Sequence, residues 1–350
     1  MGRKQIEILE KMDLLNKEGH LNCEGWARKP FWIYNRKAIK AGNWRIKEWD
    51  YYAITSIKNE WTITVTVSDL GFAAMFAIAF IDLKNKASVQ ADAIKFFSNG
   101  KIGLSSDSKK SSYLTWFNEK LRISFIKKGK KRNLLFSSPS LVLPDGRVGL
   151  DVIAELTQPI EMETMNIATS WEKNRKAFYL NEKVNCMNVS GTVRFGKDSE
   201  KFEKDDVWGT LDWGRGRWTY KNRWYWASSS GILDGVKFGF NLGYGFSDRS
   251  SATENVIFYD GKIHKLEDVE FGIPKSGYLQ DSWHFTSNNG RLDLLFTPIV
   301  NRSSNTDFKI IKSVQNQVFG KYSGKLILDD GKQLNITNFP GFAEDVYNKW

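Results

Sequence analysis

Asn99-Gly100, Asp145-Gly146, Asp234-Gly235, Asp260-Gly261, Asn289-Gly290 and Asp330-Gly331 cut the chain into segments, most of them rich in β-branched and aromatic residues. Both central residues of a type I′ turn need positive φ, and Asn or Asp followed by Gly tolerates that best. VIFY-DG-KIHKL, SNNG-RLDLLF and KLILD-DG-KQLNI therefore read as hairpins. WTITVTV (61–67) alternates strictly, as a strand with one buried face does. Its expected partner, 72–81, puts Phe72, Phe76, Ile78 and Phe80 on one face and mostly alanine on the other, so both faces are expected to be covered.

Helical signals are few. Gln5–Asn16 has an amphipathic spacing, and Ala343–Trp350 suggests a short terminal helix. Many strands with a few short helices predict an all-β, mostly antiparallel protein whose sheets are closed or nearly closed. With 350 residues, about two domains are expected. Pro144 and Pro159 mark a soft boundary, giving domains 1–155 and 156–350.

Composition excludes several classes. A content of 41% hydrophobic and 14% aromatic residues supports a large core, which argues against disorder. The longest apolar run, Leu70–Ile81, is shorter than the roughly 18 residues a spanning helix needs, so no transmembrane segment is expected. The N-terminus lacks the pattern of an export signal, and Ile6 stands where a myristoylation motif starting at Met1-Gly2 wants Ser or Thr. Cys23 and Cys186 lie far apart, which argues against a disulfide framework and for the reducing cytoplasm. The net charge of +11 raises a nucleic-acid reading, but no zinc finger, RNP signature or basic helix accompanies it. Its densest cluster, Lys127 to Arg132, separates LRISF from NLLF and reads as a solvated hairpin tip, with an anionic ligand or membrane surface as the alternatives. His20, His264 and His284 are isolated, so neither a metal nor any other cofactor is expected.

Chemistry concentrates in the second half. Five of the 14 tryptophans fall within Trp208–Trp226, and glycine-rich apolar sequence follows. From Trp218 the even positions are Trp218, Tyr220, Asn222, Trp224, Trp226 and Ser228, while Lys221 and Arg223 are odd. Strand alternation puts four aromatics, an amide and a hydroxyl on one face. Such a wall suits a selective apolar pocket, with Asn241 and Tyr244 of the next strand added to it, and an ordinary aromatic core would carry the same pattern. Asp212 beside Trp213, with Arg215 and Arg217 close by, reads either as a desolvated proton donor or as an ion pair fixing a turn. Asp248 and Glu254, flanking SSAT, are further acid/base candidates. In the first half Arg45, Glu48, Asp50, Tyr51 and Tyr52 form a comparable set, from which Asp50 and Tyr52 are taken as ligand-facing.

The blocks GWARKPFWIYNRKAIKAGNWRIKEWDYYAI, LDWGRG, WYWAS, FGFNLGYGF and ATENVIFYDG occur in order. On these the chain resembles the bacterial family known as domain of unknown function 2804, from about residue 20 to the end. That family is in turn distantly similar to lipocalin-like double-barrel proteins that include the carotenoid hydratases. The resemblance implies two lipocalin-like barrel or half-barrel domains, a ligand cavity in or between them, and no required metal. The expected function is binding of an apolar or polycyclic small molecule, with proton transfer on a double bond at Asp212, Glu254 or Asp248 as its chemical form. A non-catalytic carrier or sensor, and a carbohydrate-active protein, are the alternatives.

Overall fold

A computed structural model describes residues 4–307 and 311–350; Met1 and Gly2, read above for an acylation motif, lie outside the described residues. The described chain is all-β, with only the single 3-10 turns Arg36–Ala38 and Asn43–Arg45 departing from strands and loops. Two curled antiparallel half-barrel sheets make up most of the molecule, beside a short parallel pair of Met12–Asp13 with Trp32–Ile33.

The first sheet runs, edge to edge, through Ala87–Phe96, Ala73–Asp82, Trp61–Asp69, Ile46–Ser56, Val207–Arg217, Asn174–Phe195, Val148–Thr157, Lys131–Val142, Arg122–Lys128 and Ser112–Phe117. Two meanders are thus zipped together where Val207–Arg217 pairs with Ile46–Ser56. Its far sides approach through side chains: Phe76 stacks on Trp116 with ring centroids 3.7 Å apart. The second sheet repeats the plan. Its order is Lys262–Lys265, Val256–Tyr259, Val236–Tyr244, Lys221–Leu233, Gln333–Lys349, Lys312–Ile327, Leu292–Asp307, Trp283–Ser287 and Val269–Gly272. Here the zipper is Lys221–Leu233 against Gln333–Lys349. The sheets part at residues 218–220, and the expected division after residue 155 falls inside the strand Val148–Thr157 of the first sheet.

The hairpins at 256–265, 283–307 and 312–349 form as the turn chemistry predicts. Asn99-Gly100, Asp234-Gly235 and Asp260-Gly261 have positive φ at both residues; in the other three pairs only the glycine does. Trp61–Asp69 pairs with Ala73–Asp82, which is buried on both faces around Ala79 and Ile81.

Both helix expectations are corrected. Residues 343–349 continue the strand Gln333–Lys349, which is paired on both sides, and two ladders of backbone bonds outweigh the modest helical preference of FAED. Gln5–Asn16 runs extended across the molecule: Ile8 N–H bonds Trp26 O (2.8 Å), Met12 N–H bonds Phe31 O (3.0 Å) and Leu14 N–H bonds Ile33 O (3.1 Å). Of its apolar residues Ile8 and Leu14 are buried, while Ile6 and Leu9 are exposed. This segment also bonds the second sheet, since Ile6 N–H reaches Ser251 O and Gln5 Nε2 reaches Leu266 O, both at 2.9 Å.

Each sheet wraps its own core. Tyr52, Ile54, Ile63, Val65, Phe76, Phe125 and Leu134 fill the first. In the second, Phe240, Phe285 and Phe296 crowd around Tyr322 with centroids 4.5 to 5.4 Å away. A third buried layer lies between the sheets, where Asn174–Phe195 and Val207–Arg217 face Lys221–Leu233 and Val236–Tyr244.

Candidate functional site at the seam between the sheets

Strand alternation decides which candidate residues meet. Along Val207–Arg217 the side chains of Trp208, Thr210 and Asp212 face the second sheet, whereas Leu211, Trp213 and Arg215 face the interior of the first barrel. Along Lys221–Leu233, Trp224, Trp226 and Ser228 turn toward the first sheet. The even face expected from the sequence is therefore real for these three, but it lines the seam and not the second barrel, whose interior takes Tyr225 and Ala227.

The seam holds a fully desolvated set of ionisable groups. Lys183 lies 3.0 Å from Asp212 and 3.9 Å from Glu254, with its ammonium 4.2 Å from the centre of the Trp226 ring. Asn181 Nδ2 donates to Asp212, and Tyr179 Oη donates to Glu254 Oε2 at 2.9 Å. Trp226 Nε1 donates to Asn241 Oδ1 at 2.7 Å, and Asn241 Nδ2 donates in turn to the Glu254 carbonyl at 2.9 Å. Glu344 adds a third carboxylate, accepting from Gln317 Nε2 and, at 3.3 Å, from Trp224 Nε1. Gln317 Nε2 also reaches Tyr51 Oη at 3.0 Å.

Asp212 and Glu254 thus share one lysine at ion-pair distance, and Glu344 joins the cluster through Gln317 and Trp224. Burial, with repulsion from Asp212, raises the Glu254 carboxyl above its ordinary value against the pull of Lys183. Burial lifts Glu344 to about 7. Burial and the neighbouring Glu254 and Asp212 charges hold the Tyr179 phenol far above its ordinary range, so it remains a donor. Burial thus favours the protonated form of Glu254 and of Glu344 inside apolar surroundings.

Rings cover it. Trp218 is buried at the centre of a group formed by Trp49 (5.6 Å), Trp171 (5.2 Å), Trp224 (5.7 Å), Tyr179 (5.9 Å) and Phe246 (5.4 Å, nearly parallel). Trp49, Trp171, Trp224 and Phe246 are half-buried and form the outer side, while Tyr179 connects the group to Glu254. Glycine makes two of these approaches possible. A Cβ at Gly214 would stand 2.0 Å from the Trp49 ring, and one at Gly243 would stand 1.7 Å from Glu254 Oε1.

The other candidates lie elsewhere. Arg215, fully buried, pairs with Asp50 at 2.9 Å inside the first barrel, and its guanidinium lies 4.1 Å from the Trp213 ring centre. Tyr52 lies on that same interior side, where burial followed by the Asp50 charge pushes its phenol up to about 12 despite Arg132. Asp248 sits at the rim, bonded by Arg175 at 2.8 Å and by Ser250 N–H, and these contacts hold it below its ordinary value against partial burial. Arg217 donates to Lys40 O, and Asn222 exchanges hydrogen bonds with Thr219. Tyr220 faces Arg45 and Lys349, while Tyr244 stacks on Tyr225 at 4.7 Å. Glu48 is occupied by Tyr34 and Arg36. Cys186 is buried, and burial raises its thiol to about 12, which removes it as a nucleophile. Among the described residues, no three of His, Cys, Asp and Glu are grouped to hold a metal ion, and no helix is long and apolar enough to cross a membrane.

Sequence reasoning missed Tyr179, Lys183 and Glu344. The available signal for the first two was YLNEKVN (179–185), whose odd positions are Tyr179, Asn181, Lys183 and Asn185.

A family model described as Domain of unknown function (DUF2804) matches residues 5–350. The chain belongs to this family. No curated protein matches the DUF2804 chain in sequence. In structure it is similar to CghA crystallised with Sch210972, with a TM-score of 0.53 and 11% identity over 87% of this chain and 88% of that one. A second CghA structure gives 0.53 and 10% over 89% and 92%. Kievitone hydratase from Nectria haematococca gives 0.45 and 10% over 87% and 88%. The likeness to CghA is one of fold, and the DUF2804 chain is a lipocalin-like double-barrel protein.

Proposed function

We propose that the seam binds an apolar, ring-bearing or polyene small molecule and transfers a proton to one of its double bonds. The observation that carries this reading is a surplus of buried carboxylates under half-buried indoles. Glu254 and Glu344 are raised by desolvation; Trp224 donates to Glu344, and the half-buried Trp49 and Phe246 pack on Tyr179, which donates to Glu254. A fold shared with CghA, which was crystallised with Sch210972, supports the ligand-binding part.

In this reading the ligand displaces or slots between the outer rings and lies against Trp218 and Tyr179. Glu254 gives its proton to an alkene carbon, and the π bond breaks as the new C–H bond forms. The cation left on the adjacent carbon is stabilised by indole faces at roughly 0.5–2 kcal/mol per ring. Tyr179 donates to the resulting Glu254 carboxylate, and Lys183 offsets its charge. In a hydration, water adds to the cation and its surplus proton returns to Glu254. In an isomerisation or cyclisation, a neighbouring C–H proton is lost to Glu254 instead.

The test is isotopic. A molecule that co-purifies with the protein from its host, incubated with wild-type protein in D2O, gains carbon-bound deuterium, and Glu254→Gln reduces the rate at least ~100-fold, as loss of a general acid does. A molecule recovered unlabelled, or labelled equally by Glu254→Gln, points to a carrier and ends the catalytic reading.

A further inference from the structure

The basic run at 127–132 is only partly at the surface: Lys127 and Arg132, read from sequence as part of a solvated hairpin tip, turn inward and are only 7% and 4% exposed. A different basic surface lies at the end of the first sheet where the strand Ala73–Asp82 begins and Ala87–Phe96 finishes. Trp44 (70%), Phe96 (67%) and Phe97 (81%) are exposed there, and the cross-strand pair Met75 and Ile94 is exposed beside them. Backbone contacts hold the group together. Phe97 N–H bonds Phe72 O at 2.7 Å, Asn99 N–H bonds Gly71 O at 3.0 Å, and a Cβ at Gly71 would stand 3.1 Å from Trp44 Cα.

Phe97 has a φ of 58°, a left-handed conformation that a bulky side chain rarely adopts, and Asn or Gly would hold the same turn without strain. Burial does not offset this strain, because the ring is exposed. The segments that build this end, 35–47, 70–75, 93–101 and 217–223, contain no Asp or Glu, in a chain whose net charge is +11. Lys37, Lys40, Arg45, Lys95 and Lys101 are exposed. The acids around them are engaged. Glu48 pairs with Arg36 at 2.6 Å, and Asp69 is fully buried, accepting from Gly71 N–H, Ser98 Oγ and Gly100 N–H. Asp92 accepts from Gln90 Nε2 at 2.6 Å, and burial favours its neutral form.

We propose that this end of the first sheet docks on an anionic lipid bilayer, with the rings of Trp44, Phe96 and Phe97 entering the headgroup layer and the surrounding Lys and Arg side chains meeting lipid phosphates. Exposed apolar patches mark interaction surfaces, aromatic rings settle at the membrane interface, and each nearby cation adds attraction to anionic lipid. Met75 and Ile94 are aliphatic and cannot stack on bases, which favours lipid over single-stranded nucleic acid. A second copy of the chain would bring the same positive charge against itself. Arg45 joins this surface to the seam, since its carbonyl accepts from Trp218 N–H at 2.8 Å. The docking surface stands whether or not the seam binds a ligand.

Vesicle flotation with the full chain tests it. The protein should float with vesicles of equal parts phosphatidylcholine and phosphatidylserine but not with phosphatidylcholine alone, and its binding should weaken as salt rises to about 1 M, where the screening length is ~3 Å. Trp44→Ser/Phe97→Asn should lower the partition constant at least ~10-fold, the size expected when two inserted rings are lost. Phe97→Asn by itself should leave the thermal midpoint unchanged or raise it, because it relieves the strained φ, and this separates loss of docking from loss of fold. Four results would overturn the proposal: no flotation on the anionic vesicles, a partition constant unchanged in the double variant, a lowered midpoint in Phe97→Asn, or tighter binding to a single-stranded oligonucleotide than to the vesicles. A dimer in ultracentrifugation that the double variant dissolves would assign the patch to a second copy and overturn it equally.

Discussion

Gly243 shows how much of the seam depends on single residues. Its missing Cβ leaves the space that Glu254 Oε1 occupies, so Gly243→Ala must push the carboxyl away from Tyr179. We expect a folded protein, destabilised in urea by about 1–3 kcal/mol as overpacked cores are, whose deuterium transfer falls along with that of Glu254→Gln. Unchanged transfer would separate Glu254 from the chemistry. Glu344 gives a pH signature. Its folded value of about 7 exceeds the unfolded value near 4.5, so the folded state keeps a proton that the unfolded chain loses between those limits. The stability this contributes is complete below pH 4.5 and disappears as pH rises through 7. At about 1.4 kcal/mol per unit, wild type should lose on the order of 3 kcal/mol relative to Glu344→Gln between pH 5 and pH 8 in urea unfolding. A pH-independent difference would show that Glu344 is not the buried acid.

Among the elements, the strand Asn174–Phe195 does most to join the sheets, since its Tyr179, Asn181, Lys183 and Asn185 all reach across or into the seam. Lys183→Met leaves Asp212 and Glu254 buried without their close cation, and removing one member of a buried ion pair costs about 3–5 kcal/mol. Adding Asp212→Asn should recover part of that loss in the same urea experiment, because it removes the stranded charge; no recovery would argue against the pair. Legibility in the sequence followed the same line. Hairpins were readable because Asx-Gly turns and alternation are local. The Trp224, Trp226 and Ser228 face was readable for the same reason, but not what it would face. YLNEKVN could not be placed, because a polar alternation reads as solvent-exposed until a second sheet covers it. Ala343–Trp350 suggested a helix because its pairing with Lys221–Leu233, far away in sequence, is invisible locally.

At the scale of the molecule, two barrels of the same plan meet back to back, with the extended N-terminal segment bonded to both. The rings inside the second barrel pack upon one another, so the tryptophan-rich sequence serves the junction between barrels more than the hollow of either. In the proposed function this junction takes up a small apolar molecule beneath its outer indoles. Native mass spectrometry of protein purified from its host, compared with a Trp171→Ala/Trp224→Ala variant prepared in the same way, reads this uptake. The wild type should carry one bound apolar molecule per chain, and the variant should lose it. A wild type that carries no such molecule, or a variant that retains it, would rule out a ligand site at the junction.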